Sequence, residues 1–242
     1  MKLYLVPTPI GNLKDITLRA LEVLKSVNYI VCEDTRRTKI LLDHYGIKGK
    51  KLISYFAPRE EEKIPQILKI LEKEDVALVV DAGMPGISDP GYKLIKACLE
   101  ITLMNANNKK AQMVTNVYDN SRRIDIEVLP GPSAFLTALL GSGLPTDKFL
   151  FLGFLPKKGL ENFLKKYKDL EVTIIFYDSP KRILKDLDII EKVFGNVKVV
   201  IAREISKKYE EYLRGDIREI KEILKARKIR GEITVIFHQD KT

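Results

Sequence analysis

Asp81-Ala82-Gly83-Met84-Pro85-Gly86-Ile87-Ser88-Asp89-Pro90-Gly91 is the stretch whose reading decides the fold. The apolar run before it, Val76-Ala77-Leu78-Val79-Val80, reads as a buried strand. The segment after it, Tyr92 to Leu99, reads as a helix, with Asp89 as its cap and Pro90 at its first position. The stretch is therefore a strand-to-helix turn rich in glycine and proline. In an open α/β sheet, ligands lie at the carboxyl ends of strands, beside such turns. Glycine lets a backbone come close to a ligand, proline stiffens the loop, and a helix N-terminus offers free N–H groups. A tight turn with no ligand is the alternative, and the flanking sequence bears on the choice.

Working towards the N-terminus, Leu52 to Phe56, Tyr29 to Cys32 and Lys2 to Val6 read as strands. Helices separate them: one starting near Asp15 or Thr17, one through Ile40-Leu41-Leu42 closed by Gly46, and one starting at Pro58. Towards the C-terminus, Ile124 to Val128 reads as a strand, followed by Leu129-Pro130-Gly131-Pro132-Ser133-Ala134 and a helix from Phe135 to Leu140. Strands alternating with helices through short links imply a parallel sheet covered by helices on both faces. The loops after Val6, Val80 and Val128 each carry proline and glycine, and parallel strands place all three on one edge. That convergence argues for a site more strongly than any single loop.

Gly141-Ser142-Gly143-Leu144-Pro145-Thr146-Asp147 reads as a link between domains. The pattern then restarts, with strands at Phe149 to Leu155, Val172 to Tyr177, Val197 to Ala202 and Ile233 to Phe237. Helices run from Leu160 to Tyr167, from a Ser179-Pro180 start to Phe194, and from an Asp216 cap to Lys225. The expectation is two α/β domains of about 100 to 150 residues each, over 1–143 and 144–242, the second with a mixed sheet. Ile101 to Arg123, rich in Asn and Lys with weak periodicity, reads either as a disordered surface loop or as a short hairpin through Met113 to Tyr118.

Composition narrows the classes. Apolar residues make up 45% of the 242, enough for a core in each domain. No apolar run approaches the about 18 residues of a membrane span, and Met1 to Pro7 is too short for a secretory leader. Two cysteines, Cys32 and Cys98, outside any C-x-x-C pair, fit a soluble cytoplasmic protein with reduced thiols. The net charge of +9 suits a polyanion such as RNA; a Lys/Glu-rich surface of the thermophile type explains the 31% charged residues equally well.

The chain lacks G-x-G-x-x-G after its first strand, a P-loop, H-E-x-x-H and G-x-S-x-G, and His44 and His238 lie far apart. No catalytic metal is expected. What remains is a backbone-lined cleft with few acid–base groups, which suits a ligand that carries its own activated group. S-adenosylmethionine is such a ligand: its sulfonium makes the methyl electrophilic, and the protein then positions donor and acceptor in line. A hydroxyl acceptor also needs a base. Glu33, Asp34 and Glu204 are the carboxylates best placed, each just past a strand, with salt bridges to Arg36, Arg37 or Arg203 as their other reading.

In order along the chain stand Pro7-Thr8-Pro9-Ile10-Gly11-Asn12-Leu13, Glu33-Asp34-Thr35-Arg36, the Asp81 to Gly91 stretch, Leu129-Pro130-Gly131-Pro132-Ser133-Ala134, Phe151-Leu152-Gly153-Phe154-Leu155-Pro156, Tyr177-Asp178-Ser179-Pro180 and Ala202-Arg203-Glu204-Ile205-Ser206-Lys207. As a set, over nearly the whole chain, they resemble the ribosomal RNA small subunit methyltransferase I family of the tetrapyrrole methylase superfamily. The resemblance implies S-adenosylmethionine-dependent 2′-O-methylation of a cytidine in the decoding region of 16S rRNA within the small ribosomal subunit. It further implies a homodimer with the cofactor in a cleft between two α/β domains. Carried over by position, Pro7, Gly83, Met84, Ile87, Ser88, Ser133, Ala134, Tyr177 and Ala202 would line the cofactor pocket. The resemblance supplies no general base, so Asp34, Glu204 and Arg36 are taken as catalytic candidates, with Arg36 for a phosphate or ribose contact. Arg37, Lys157, Lys158, Lys181 and Arg182 would join Arg36 in facing the ribosomal particle. Two departures from the family pattern are the longer segment at 101–123, and Ile205-Ser206-Lys207 where Leu-Thr-Lys is common. The rival readings are a tetrapyrrole or protein methyltransferase on the same scaffold, and a non-catalytic RNA-binding module.

Overall fold

In the computed structural model, which describes residues 1–112, 123–227 and 229–239, the chain divides into two compact units, Met1–Pro132 and Ser133–Thr242. The first alternates strand and helix: β1 (Lys2–Leu5), α1 (Leu18–Ser26), β2 (Tyr29–Cys32), α2 (Thr35–His44), β3 (Lys51–Ser54), α3 (Glu60–Leu71), β4 (Val76–Val79), α4 (Tyr92–Gln112) and β5 (Asp125–Val128). Local signals set the helix starts. The Thr17 hydroxyl accepts the Ala20 N–H to cap α1, and the Asp34 carboxylate accepts the Arg36 N–H to cap α2. Pro58 lies in a 3-10 turn, Ala57–Arg59, that leads into α3.

The five strands form one parallel sheet in the order β3-β2-β4-β1-β5. Its centre is buried on both faces, so β4 is apolar at every position. Ala77 and Val79 face α1 and α2, packing with Ala20, Leu24, Leu41 and Leu42. Val76 and Leu78 face α3 and α4, packing with Ile67, Leu71, Leu94 and Cys98. Cys32 and Cys98 lie in these two opposite layers as free, buried thiols. The chain leaves β1 towards β2 and leaves β4 towards β5, in opposite directions. The topological switch therefore falls between β4 and β1, the position where α/β sheets bind ligands.

Ser133–Thr242 holds α5 (Ala134–Ser142), β6 (Phe149–Phe154), α6 (Leu160–Lys165), β7 (Thr173–Asp178), α7 (Ile183–Phe194), β8 (Lys198–Arg203), β9 (Glu211–Asp216), α8 (Ile217–Ala226) and β10 (Ile233–His238). The sheet order is β6-β7-β10-β8-β9, with β6 and β7 parallel and the other neighbours antiparallel, as a mixed sheet requires. Phe176, Ile201, Val235 and Phe237 face a core shared with Leu164, Leu187, Ile190 and Ile220.

The structure departs from the sequence reading in several places. α4 does not stop near Leu99 but continues to Gln112, and the Thr102 hydroxyl contacts the Cys98 and Ile124 carbonyls. The hairpin considered through Met113 to Tyr118 lies outside the described residues. β9, where the sequence reading has no strand, is an edge strand whose polar sequence, Glu-Tyr-Leu-Arg-Gly-Asp, is recruited by full pairing with β8. α7 starts at Ile183 rather than Pro180, because the Ser179 carbonyl accepts the Arg182 and Ile183 N–H groups in a preceding turn. The division after Pro132, rather than after Gly143, assigns α5 to the second unit, where it packs on β7 to β10. Among the described residues no helix is long and apolar enough to cross a membrane.

The second unit also buries a costly acid. Asp178, at the end of β7, is 7% exposed; one carboxylate oxygen accepts the Ser179 N–H at 2.7 Å and the other has no hydrogen-bond partner among the described residues. Burial pushes its carboxyl up to about 6. A raised carboxyl favours the fold most below its unfolded value, and that contribution is lost as pH rises through about 6. Asp178→Asn keeps an acceptor for Ser179 and removes the buried charge. Thermal melts should show it more stable than the parent at pH 8, by on the order of 2 kcal/mol. The gain should shrink towards zero near pH 4, and an equal gain at both pH values would exclude the titration as its cause.

Candidate active site

Three loops of the first unit meet at the carboxyl edge of the sheet. After β1, Thr8 exchanges two backbone hydrogen bonds with Gly83, each 3.0 Å, and its buried hydroxyl donates to the Val80 carbonyl at 2.9 Å. After β5, Gly131 packs on Pro7 so closely that a Cβ there would lie 2.5 Å from the Pro7 Cβ. Gly83, at φ +83°, faces Ile10 and the Pro132 carbonyl. The loops after β1, β4 and β5 thus form one continuous main-chain surface. Gly131→Ala should push the Pro7 loop away, costing about 1–3 kcal/mol as overpacking. It should also weaken binding of S-adenosylhomocysteine, measured by calorimetry, even where the melting temperature falls only slightly.

The Asp81 to Gly91 loop is held by its own unusual backbone. Gly86 (φ +82°) donates to the Pro90 carbonyl at 3.2 Å, and Gly91 (φ +144°) donates its N–H to Glu60 at 3.0 Å. Ser88 sits at φ +62°, in the left-handed region that non-glycine residues seldom occupy. The helix starts at Tyr92, with Gly91 as the residue before it, two positions later than the Asp89-Pro90 reading implied. Ile87 and Ser88 are exposed and Met84 is half-buried, while Gly83 is buried.

Charged groups crowd the same edge. Asp34 is held by Arg36 through Nε at 3.0 Å and Nη2 at 2.7 Å, and this guanidinium with the Arg36 N–H keeps its carboxyl at about 2. Asp81, just past β4, accepts from Arg37 at 3.1 Å, and its other oxygen is buried with no hydrogen-bond partner among the described residues. Glu33 accepts the Asp81 N–H at 3.4 Å, and burial raises its carboxyl above the usual range. Asp81 was not singled out from the sequence as a polar group of the site. The available signal was its place directly after a buried strand, level with Glu33 and Asp34. Among the described residues no cluster of His, Cys, Asp or Glu could hold a metal ion.

In the second unit, Tyr177, Thr234 and Ala202 are directly paired across β7, β10 and β8, and Ala202 pairs onward with Tyr212 of β9. Directly opposed residues share a face, so the sheet brings Tyr177 and Ala202 into one row. α5 covers that face: Phe135 stacks on Phe151 at 4.3 Å, Phe151 meets Tyr177 edge-on at 5.1 Å, and Gly141 abuts the Tyr212 ring. Ser133 is the buried cap residue of α5, and Ala134 is its first residue. Glu204, one residue past β8, is not a free carboxylate. It accepts the Glu232 N–H at 2.9 Å and the Lys207 ammonium at 3.2 Å. Burial pushes its carboxyl up, but these two donors hold it below the usual range. Arg182 is likewise engaged, pairing with Asp186 at 2.8 Å and donating to the Leu155 carbonyl, while Lys157, Lys158 and Lys181 are exposed.

The sequence profile of the tetrapyrrole (corrin/porphyrin) methylases matches residues 2–104 and 111–221. A ribosomal RNA small subunit methyltransferase I of Hydrogenobaculum sp. is 50% identical over 245 residues, covering 100% of this chain and 97% of its own. The protein of the same name from Thermotoga maritima is 42% identical, covering 97% of each chain. Among solved structures, the methyltransferase CobJ superposes with a TM-score of 0.69 at 17% identity, covering 98% of this chain and 93% of its own. Uroporphyrin-III C-methyl transferase from Thermus thermophilus, complexed with S-adenyl homocysteine, superposes with a TM-score of 0.62 at 17% identity, covering 99% and 98%. Likeness at that identity shows the fold; full-length identity of 42–50% shows the closer kinship. The chain belongs to the ribosomal RNA small subunit methyltransferase I family, within the tetrapyrrole (corrin/porphyrin) methylases.

Proposed function

We propose that the chain transfers a methyl group from S-adenosylmethionine to the ribose 2′-hydroxyl of a cytidine in 16S rRNA of the small ribosomal subunit. The observation that carries this reading is full-length identity of up to 50% to relatives named for small-subunit rRNA methylation. The first unit's sheet edge fits the donor: the Thr8–Gly83 bridge offers a main-chain wall, and the orphaned Asp81 oxygen is free to accept from a donor group. Pro7, Gly83, Met84, Ile87 and Ser88 are assigned to donor binding there. Ser133, Ala134, Tyr177 and Ala202 are assigned to it from the second unit.

When bound, the cofactor supplies a sulfonium-activated methyl, so the chain's residues have two tasks: alignment, and removal of the hydroxyl proton. Asp34, Arg36 and Glu204 are assigned to the acceptor side. Asp34, ionised at any working pH, fixes Arg36, and Arg36 is exposed enough to reach a ribose or phosphate oxygen. Glu33, whose raised carboxyl accepts a proton more readily, is assigned as the base. Glu204 acts through the loop it ties to Glu232 and Lys207. A homodimer is also proposed: Leu140 and Phe154 of the second unit are 75% and 65% exposed, apolar side chains that pairing of two copies would cover.

The test offers unmodified small subunits and a tetrapyrrole in parallel, with labelled S-adenosylmethionine, followed by mass spectrometry of nuclease-digested rRNA. The expected product is one ribose-methylated cytidine. Label entering the tetrapyrrole alone, or an rRNA base instead of a ribose, would reject the proposal.

A further inference from the structure

The second unit carries a groove of about 760 Å³ beside the start of α7 and the segment joining α8 to β10. Leu184, Leu224 and Ile229 give it an apolar floor. Its charged lining is all basic: Lys181, Lys225, Arg227 and Arg230. Lys225 is paired with Glu222 and Arg227 with Glu211. Lys181 and Arg230 are exposed and make no ion pair among the described residues.

One wall of this groove is built to stay in place. The Arg230 carbonyl accepts from Arg203 at 3.0 Å, and the Glu232 N–H is held by Glu204. Gly231, at φ +93°, packs directly against the Glu204 side chain. Glu204 and Ser206 themselves sit at φ +51° and +65°. Non-glycine residues held in that region cost about 1–3 kcal/mol each and concentrate at functional sites. Here Glu204 ties down the segment before β10 through the Glu232 N–H.

An apolar floor with unneutralised cations at its rim complements the two surfaces of a single strand, its base faces and its charged phosphates. A second copy of this chain would set basic rim against basic rim, so the charge favours a polyanion over self-association. We infer that this groove holds a single-stranded segment of the RNA substrate, with a base over Leu184 and Ile229 and flanking phosphates at Lys181 and Arg230. The inference rests on the rRNA methyltransferase reading and extends it to where the substrate strand docks.

The test compares the full chain with the Lys181→Glu/Arg230→Glu double variant. Binding of a short single-stranded RNA is followed by fluorescence anisotropy across a salt series, and methyl transfer to small subunits is measured alongside. The double variant should bind at least 10-fold more weakly, with a salt slope lower by about 1.4, roughly 0.7 for each lost phosphate contact. KM for subunits should rise with kcat and S-adenosylhomocysteine affinity unchanged, and Lys181→Arg/Arg230→Lys should restore binding. Independently, 4-thiouridine-bearing RNA should crosslink to peptides spanning residues 179–184 or 224–231 of the parent. Unchanged RNA affinity, crosslinks confined to other peptides, or a shift in oligomeric state in place of RNA affinity would each overturn the groove while leaving the methyltransferase reading intact. A parent protein that methylates no RNA would overturn both.

Discussion

Replacing Gly91 by alanine is expected to remove donor binding altogether and to lower the stability of the fold by about 3 kcal/mol or more. At φ +144° the backbone occupies a region open to glycine and closed to side chains. An added Cβ would stand 3.0 Å from the Gly86 nitrogen and 3.2 Å from Leu78. Leu78 is part of the central strand and cannot yield, and Gly86 is fixed by its bond to Pro90. The whole Asp81 to Gly91 loop would have to shift, breaking the Gly91 bond to Glu60 as it went. Gly143 provides the control, since an added Cβ there meets nothing within 4 Å and only its positive φ is disturbed. Denaturant melts and calorimetry with S-adenosylhomocysteine read the two effects. A Gly91→Ala protein that melts and binds like its parent would show that the loop is looser than its geometry implies.

Glu33→Gln should lower kcat by roughly 100-fold or more, the usual scale for losing a general base, with the donor still bound. The parent's kcat should fall as pH drops through the raised pKa of Glu33, because a protonated carboxyl cannot take the hydroxyl proton. Asp34→Asn should keep that acid limb and shift it only slightly to lower pH, since Asp34 is itself ionised down to about pH 2 and its charge is the smallest of the causes that raise Glu33. Its effect should appear instead as a higher KM for the subunit, through release of Arg36. An acid limb that is lost with Asp34→Asn and ignores Glu33→Gln would reverse the assignment.

Much of this was legible from local signals. Apolar runs followed by glycine and proline marked the strand ends, and parallel connectivity alone placed the loops after Val6, Val80 and Val128 on one edge. The Thr8–Gly83 and Pro7–Gly131 contacts are that inference realised in atoms. What escaped the sequence depended on partners distant along the chain. β9 is polar and lies at an edge, so only its pairing with β8 identifies it. α5 follows a glycine- and proline-rich loop and precedes another, and nothing local shows which sheet it packs on. Glu204 read as a possible base because it follows a strand; its engagement with Glu232, 28 residues away, requires the folded chain.

The end of the first unit at Pro132 has a practical corollary for dissecting the protein. The Leu-Pro-Gly-Pro-Ser motif is severed by that division: Leu129 belongs to the core of one unit, and Ser133 opens a helix of the other. A gene truncated after Gly143 would encode an orphan helix, its Ala138 and Leu139 stripped of the strands they rest on. Such a fragment should aggregate where one ending at Pro132 stays in solution. Split-protein reconstitution therefore has its natural cut eleven residues upstream of where the glycine-rich link invites it.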